Sequence, residues 1–472
     1  MRKHRGSGSV AVPTSEVEAK GAAREGGPSR VGGLVARRWL APAAIVLVAL
    51  AVRTVVVLAD DGYQPANDSI QYHEIARSIA SGDGYPESQL LLQGGPMAFR
   101  GLGYPALLGG VYALTGDSVT AGRLVGAALG AVAVLLLYLV VRRIWGRRVG
   151  LVAAGMAAVF PPLVLLSSEL LSESLFIALS LAVVLCALAC RVSGGALGWA
   201  AGVGALCGLA ALTRSVGLVL VVAAALGVWT LRPRLSARAL LAPMVVVLCA
   251  ALVIAPWAIR NQIEFGRFIP TTTSGGYTAA GAYNEASFED ADAHGAWRNP
   301  QLVPEYSRLF VTQGIDEGTM DSTLGRAARE FAWEHPGYVA ETIAWNLLRQ
   351  LEVVDGSVRG PQGQVADDRG IGSEVPAVER VGLAIGVAFG LVGVIAIVRS
   401  RWGADARVRP EGRIPGGPRF LWLIPILFVA LTLPLAGLPR YRLPADPFLL
   451  ILAAIGLTWL WDRVTDRDAA RA

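Results

Sequence analysis

Long apolar runs bounded by charge, Pro or Gly recur along the chain near 39–59, 119–141, 149–166, 170–190, 196–213, 215–231, 239–257, 379–398, 420–437 and 443–461. Each approaches the ~20 apolar residues that an α-helix needs to cross the hydrocarbon core of a bilayer. The pattern predicts an all-α polytopic membrane protein, a bundle of about ten transmembrane helices with both termini on one side. Two polar stretches, 60–118 and 258–378, are too long for simple turns and are expected to carry function. Within the second, helical spacing predicts helices over about 321–335, ending before Pro336, and over about 338–354, where Ile343, Leu347 and Leu351 form an apolar stripe beside Trp345.

Short-loop Arg counts set the orientation, because positive charge is retained in the cytoplasm during insertion. Arg37 and Arg38 precede the first span, and Arg142, Arg143, Arg147 and Arg148 fill the second-to-third turn. Arg232, Arg234 and Arg238 fill the sixth-to-seventh, while Arg399, Arg401, Arg407, Arg409, Arg413 and Arg419 precede the ninth. All four clusters fall inside if the N-terminus is inside, which makes both polar stretches extracytoplasmic and predicts a multi-pass plasma-membrane protein. The chain then divides into a Gly-, Ser- and charge-rich tail, 1–36, expected to be disordered and cytoplasmic; a transmembrane module, 37–257, holding the first external loop; an external region, 258–378; and C-terminal transmembrane helices, 379–472.

Composition agrees with the membrane assignment: 54% of residues are hydrophobic and mean hydropathy is +0.50. The net charge of +6 would suit nucleic acid, but the basic residues are spread over the cytoplasmic loops and topology accounts for them. Lys occurs only at Lys3 and Lys20, so the choice of Arg over Lys carries no recognition signal and position does. Cys186, Cys190, Cys207 and Cys249 all lie in apolar spans, where thiols act as small hydrophobes. Glycines one turn apart, at 122, 126 and 130, at 204 and 208, and at 382, 386 and 390, suit close helix packing in lipid.

Against the orientation bias, several charged residues sit at external span ends. In Asn67-Asp68-Ser69-Ile70-Gln71-Tyr72-His73, leading to Ile75, Ala76 and Ile79, the spacing predicts a short amphipathic helix on the membrane surface. Asp68 is there both a natural N-cap, with Gln71 completing a capping box, and a carboxylate able to present an oxygen to a substrate hydroxyl or a metal. Glu169 and Glu173, one turn apart at the start of the fourth span, favour the helix dipole or a polar cavity, and Glu173 lies deeper. Arg214, Arg260 with Asn261, and Arg440-Tyr441-Arg442 bring guanidinium groups to the same face, where they either anchor headgroups or converge on the phosphate of an anionic lipid.

In order along the chain, residues 68–77, Phe99-Arg100-Gly101-Leu102-Gly103-Tyr104-Pro105, Gly122-Arg123-Leu124, Ser168 to Phe176 and Leu212-Thr213-Arg214 resemble the N-terminal half of the GT-C membrane glycosyltransferases. Pro256-Trp257-Ala258-Ile259-Arg260-Asn261 and Arg440-Tyr441-Arg442-Leu443-Pro444 are similar to bacterial members of the protein O-mannosyltransferase and lipid A aminoarabinose transferase group. The resemblance implies a GT-C-type bundle with extracytoplasmic juxtamembrane helices. It also implies transfer of a sugar from a polyprenyl-phosphate donor to a lipid, glycan or protein acceptor at the external face. The family's acidic first-loop position matches Asp68, and the one opening the fourth span matches Glu173, with Glu169 beside it. Arg100 and Tyr104 match an Arg-x-Pro-Gly-Tyr-Pro pattern in which Leu102 here replaces the proline. Ser69 stands where the protein mannosyltransferases carry the second acid of a pair, so a protein acceptor is not implied.

The residue types fit that chemistry. Glycosyl transfer needs a base for the acceptor hydroxyl and a stabiliser for the departing phosphate, across an oxocarbenium-like transition state. Asp68 is the candidate base; Arg260, Arg440 and Arg442, with Arg214, would neutralise the phosphate. Tyr72, Arg100, Tyr104, Glu169, Asn261 and Tyr441 complete the candidate substrate-binding set. A single displacement inverts the anomeric centre. Glu173 would orient the sugar or, with Asp68, hold a divalent cation. The rival reading is a lipid-linked-sugar flippase or transporter, whose charges sit near the midplane among internal repeats. Here the charges cluster at one face and no repeat is evident.

Overall fold

A computed structural model describes residues 30–231, 233–291, 293–354, 375–401 and 419–469. Residues 1–29 of the expected tail, Arg232, Asp292, residues 355–374 of the second polar stretch, and Arg407, Arg409 and Arg413 lie outside the described residues. The chain divides into two units at residue 41. Residues 30–41 of the first are helical, and all that follows from Pro42 concerns the second.

The helices are α1 (Arg30–Ala59), α2 (Asp68–Ser81), α3 (Gly103–Thr115), α4 (Val119–Val159), α5 (Pro161–Leu166), α6 (Glu173–Val192), α7 (Leu197–Thr213), α8 (Gly217–Val228), α9 (Ala237–Phe265), α10 (Gly275–Ala282), α11 (Glu285–Phe288), α12 (Pro304–Ser307), α13 (Glu317–Glu334), α14 (Pro336–Gln350), α15 (Val375–Arg401), α16 (Arg419–Thr432) and α17 (Asp446–Ala469). Among the described residues, six helical segments are long and apolar enough to cross a membrane: Trp39–Ala59, Val119–Val159, Glu173–Val192, Ala237–Phe265, Ala377–Ser400 and Pro439–Asp466. Three shorter apolar helices, α7, α8 and α16, account for further expected spans. The 41-residue α4 holds two of them, because Gly146 breaks it with φ 85° and ψ 177°, a conformation closed to residues with a Cβ. This break sits in the Arg142–Arg148 turn that the charge pattern predicts.

Packing separates inner from outer helices. α6 and α17 are largely enclosed by protein, whereas α9 and α15 turn Leu248, Leu252, Val381 and Leu391 outward, as lipid-facing helices do. α7 packs closely on α9 because Gly204 leaves room for the Val246 carbonyl, which a Cβ would meet at 2.4 Å.

Two expected elements differ, each for a local reason, and α14 is placed by its polar face. The third span stops at Val159, where Phe160-Pro161-Pro162 starts the short α5, and the hydroxyls of Ser167 and Ser168 return to the carbonyls of Leu163, Val164 and Leu165. Glu169 therefore lies in a turn before α6 and does not share a helical face with Glu173. The ninth span unwinds after Thr432, leaving an irregular segment with short 3₁₀ turns at Pro439–Tyr441 and Leu443–Ala445 before α17. α14, found close to its predicted limits, buries Thr342, Asn346 and Arg349 and turns Trp345, Leu347 and Leu351 outward. Its inner face holds the unwound segment, since Asn346 Nδ2 donates to the Leu433 carbonyl at 2.8 Å and Gln350 Nε2 to that of Ala436 at 2.9 Å.

Candidate active site

Where α2, the 99–101 loop, the α7–α8 junction, α10 and the unwound segment meet, they enclose a cavity of about 630 Å³, within the usual range for small-molecule sites. Its centre is an ion-paired row. Asp68 opens α2 and presents one carboxylate oxygen to each of two guanidinium groups: Oδ2 accepts from Arg440 Nη2 at 2.6 Å, and Oδ1 accepts from Arg100 Nη2. Arg100 also donates from Nε to Gln71 Oε1 at 2.6 Å and lies over the Tyr72 ring. Burial alone would raise the Asp68 pKa, but Arg100 and Arg440 hold it well below the ordinary carboxylate range. The capping box is not realised, because both Asp68 and Gln71 are engaged by Arg100. The preceding residue, Asn67, has φ 47° and ψ −115°, a strained conformation of the kind that concentrates at functional sites.

The second pair lies deeper. Glu173, fully buried, meets Arg214 Nη1 at 2.5 Å. Ser172 Oγ joins this pair to the first: it accepts from Tyr72 at 3.0 Å and from Arg214 at 3.2 Å, and donates to Glu173 at 3.3 Å. Tyr441 stands between the two, its ring within 6 Å of both Arg214 and Arg440. Tyr72, Tyr441, Arg100, Arg214, Arg440 and Asp68 all line the cavity.

Other candidates serve this row from behind and do not line the cavity. Tyr104 packs edge-on against Tyr72, with ring centroids 5.0 Å apart. Arg260 donates to the Met97 carbonyl at 2.8 Å and to Asn261 Oδ1 at 3.1 Å, among the rings of Tyr85, Trp257 and Phe265. Asn261 donates to the Ile269 carbonyl at 3.0 Å. Arg442 is buried against Asp446, Glu352 and the Gln350 carbonyl. Glu169 is buried at the turn that Arg123 fastens through the Ser168 carbonyl at 2.7 Å. The guanidinium groups at these span ends thus divide: Arg440 and Arg214 reach the cavity, while Arg260 and Arg442 brace the segments that carry Arg100 and Arg440.

Asp68 and Glu173, the pair expected to hold any divalent cation, sit in two separate ion pairs. Each faces guanidinium groups, and among the described residues no three His, Cys, Asp or Glu side chains gather as metal ligands. Sequence reasoning missed Ser172, which nothing in the pattern ranks above Ser168. It also missed buried Glu317, which ties the two long polar stretches by accepting from Ala98 N at 2.7 Å and Thr273 Oγ1 at 2.8 Å. A further wall, with Tyr277, Trp297, Asn299, Gln301 and Asp321, comes entirely from the second polar stretch.

The family model for dolichyl-phosphate-mannose-protein mannosyltransferases matches residues 100–259. No curated protein matches the chain. Among solved structures, the chain resembles the Archaeoglobus fulgidus oligosaccharyltransferase AglB in complex with an inhibitory peptide and a dolichol-phosphate (15% identity, TM-score 0.51), over 91% of this chain and 51% of that one. The same organism's oligosaccharyltransferase with Zn and sulfate gives 14% identity and TM-score 0.50, over 90% and 50%. ArnT from Cupriavidus metallidurans bound to undecaprenyl phosphate gives 16% identity and TM-score 0.38, over 90% and 77%. This chain spans about half the length of the oligosaccharyltransferases it matches. Its fold is that of the GT-C glycosyltransferases.

Proposed function

We propose that the protein is an inverting membrane glycosyltransferase that moves a sugar from a polyprenyl-phosphate donor to an acceptor hydroxyl at the extracytoplasmic face. The observation that carries this reading is Asp68 held between Arg100 and Arg440 on a cavity wall that continues into apolar helix ends. Leu218 and Val219 of α8, with Leu431, Leu435 and Leu438, line that continuation, and Leu218 and Leu431 are open outward, as a lipid tail entering from the bilayer would require. The matched family model, described as that of dolichyl-phosphate-mannose-protein mannosyltransferases, spans the residues that supply Arg100, Glu173 and Arg214.

The chemistry follows from the pairing. The donor's phosphate enters between Arg440, Arg214 and Arg100 and competes with Asp68 for their hydrogen bonds. As Asp68 loses those partners, its carboxylate becomes a stronger base. It takes the proton of the acceptor hydroxyl, whose oxygen forms a bond to the anomeric carbon. The bond from that carbon to the phosphate oxygen breaks, and the electron pair leaves on the lipid phosphate, where fixed guanidinium groups neutralise it. Glu173, paired to Arg214, sets the position of that cation.

Orientation follows from charge. α8 carries the cavity at its first turn, while Arg234 and Arg238 follow its last, so a cytoplasmic location for the basic loop puts the cavity outside. Purified protein in liposomes, given labelled undecaprenyl-phosphate sugars and a membrane extract, tests the reading. Label in a new glycosidic bond of opposite anomeric configuration is expected. Label that only changes leaflet would replace this function with flipping.

A further inference from the structure

The cavity has three chemically distinct walls. Apolar helix ends and the guanidinium row are absorbed by the lipid-phosphate reading above. The third, from the second external stretch, is not. It contains no cation, since the cationic residues lining the cavity are Arg100, Arg214 and Arg440. It offers two aromatic rings, two side-chain amides, a carboxylate and a row of hydroxyls.

The rings are built in place. The indole of Trp297 donates to the Thr278 carbonyl at 2.9 Å, and its flank rests on Gly281, where a Cβ would stand 2.2 Å from Nε1. Tyr277 lies beside it, with centroids 5.9 Å apart, and its hydroxyl donates to Asn299 Oδ1 at 2.6 Å. That oxygen also accepts the Gln301 amide at 2.9 Å, which fixes the Asn299 side chain. Asp321 Oδ1 accepts from the backbone amides of Gly276 and Tyr277 at 2.5 and 3.3 Å, tying α13 to the start of α10. From this wall a hydroxyl row, Ser274 to Thr272 at 3.0 Å and Thr272 to Ser215 at 2.6 Å, runs back to the neighbour of Arg214.

A fixed aromatic face rimmed by amide, carboxylate and hydroxyl groups complements one kind of molecule. A sugar ring has an apolar C–H face and a rim of hydroxyls that both donate and accept. We infer that the wall formed by Tyr277, Trp297, Asn299, Gln301 and Asp321 is the seat of the acceptor, and that the acceptor presents an uncharged sugar ring there. The inference rests on the lipid-phosphate reading for the other two walls. The acceptor is therefore a glycan or glycolipid, and its free hydroxyl is delivered across the cavity towards Asp68.

Saturation-transfer NMR on the full chain in lipid nanodiscs tests this, with methyl mannoside, glucoside, galactoside and arabinofuranoside and the peptide acetyl-Ala-Thr-Ala-amide as probes. At least one glycoside is expected to be saturated on its ring C–H protons. Its apparent affinity should fall about ten-fold in Trp297→Ala through loss of the stacking face, and be kept in Trp297→Phe. Melting curves identify a variant that has not folded, and Asn299→Ala then takes the place of Trp297→Ala. Absence of saturation for every glycoside, equal saturation in the alanine variant, or saturation of the peptide alone would overturn the inference. Displacement by undecaprenyl-phosphate-mannose but not by undecaprenyl phosphate would give the seat to the donor's sugar and also overturn it. Undecaprenyl phosphate binding, measured by native mass spectrometry on wild type, separates the two readings: its absence sinks the lipid-phosphate site, and its presence without a saturated glycoside sinks only the seat.

Discussion

Replacing Asp68 by Asn should separate donor binding from turnover, moving them in opposite directions. In the wild type each Asp68 oxygen takes a charge-assisted hydrogen bond, from Arg440 at 2.6 Å and from Arg100, with the Asp68 side chain 18% exposed. Asn keeps one neutral acceptor and turns an amide N–H₂ towards the other guanidinium, so Arg100 and Arg440 both lose the Asp68 charge. Breaking buried pairs of this kind costs ~3–5 kcal/mol, so the melting temperature should fall while the fold survives. A donor phosphate, however, no longer has to displace a carboxylate. Relief of one charge-assisted bond of ~1.5–3 kcal/mol should tighten undecaprenyl phosphate binding by about ten-fold or more. Turnover should drop by ~10²–10⁴, the contribution of a positioned general base. Native mass spectrometry gives the first quantity and label transfer under single-turnover conditions the second. Turnover within about three-fold of wild type would remove Asp68 as the base. Phosphate binding that weakens in step with turnover would refute the competition between carboxylate and phosphate.

Three further outcomes follow from the same geometry. Arg214→Ala leaves fully buried Glu173 without its cation and should destabilise the protein by ~3–5 kcal/mol, much of it restored by adding Glu173→Gln in a double-mutant cycle read by thermal melting. Because Asp68 titrates below its ordinary range in the folded protein, its stabilising contribution is present above the unfolded carboxylate pKa of ~4 and is lost only as pH falls through the lower folded value. The melting difference between wild type and Asp68→Asn should therefore hold constant from neutral pH to about pH 5 and shrink only in strong acid. Arg442→Ala should reduce turnover by displacing Arg440, with a loss of stability larger than that of Arg440→Ala, since Arg442 is bound to Asp446, Glu352 and Gln350. Equal stability of the two variants would count against the bracing role.

The membrane-crossing segments could be read from the chain because they depend on a local property. About twenty apolar residues in a row bury their own backbone polar groups as a helix, whatever surrounds them. The Arg-rich turn at 142–148, the helix end before Pro336 and the helix opening at Asp68 are legible for the same reason: charge, proline and a short amphipathic repeat act within a few residues. Asp68, Arg214, Arg440 and Glu173 were identifiable as charges out of place, since an ion near lipid needs a partner. Which partner each one has was not identifiable. Arg440 meets Asp68 across 372 positions and Arg442, two residues on, turns away to Asp446; only the unwinding of the chain after Thr432 and its fastening by α14 decide between them. Nor could any local pattern place Trp297 on Gly281 in the cavity that this ion pair lines, because contacts between distant segments are set by how the helices pack.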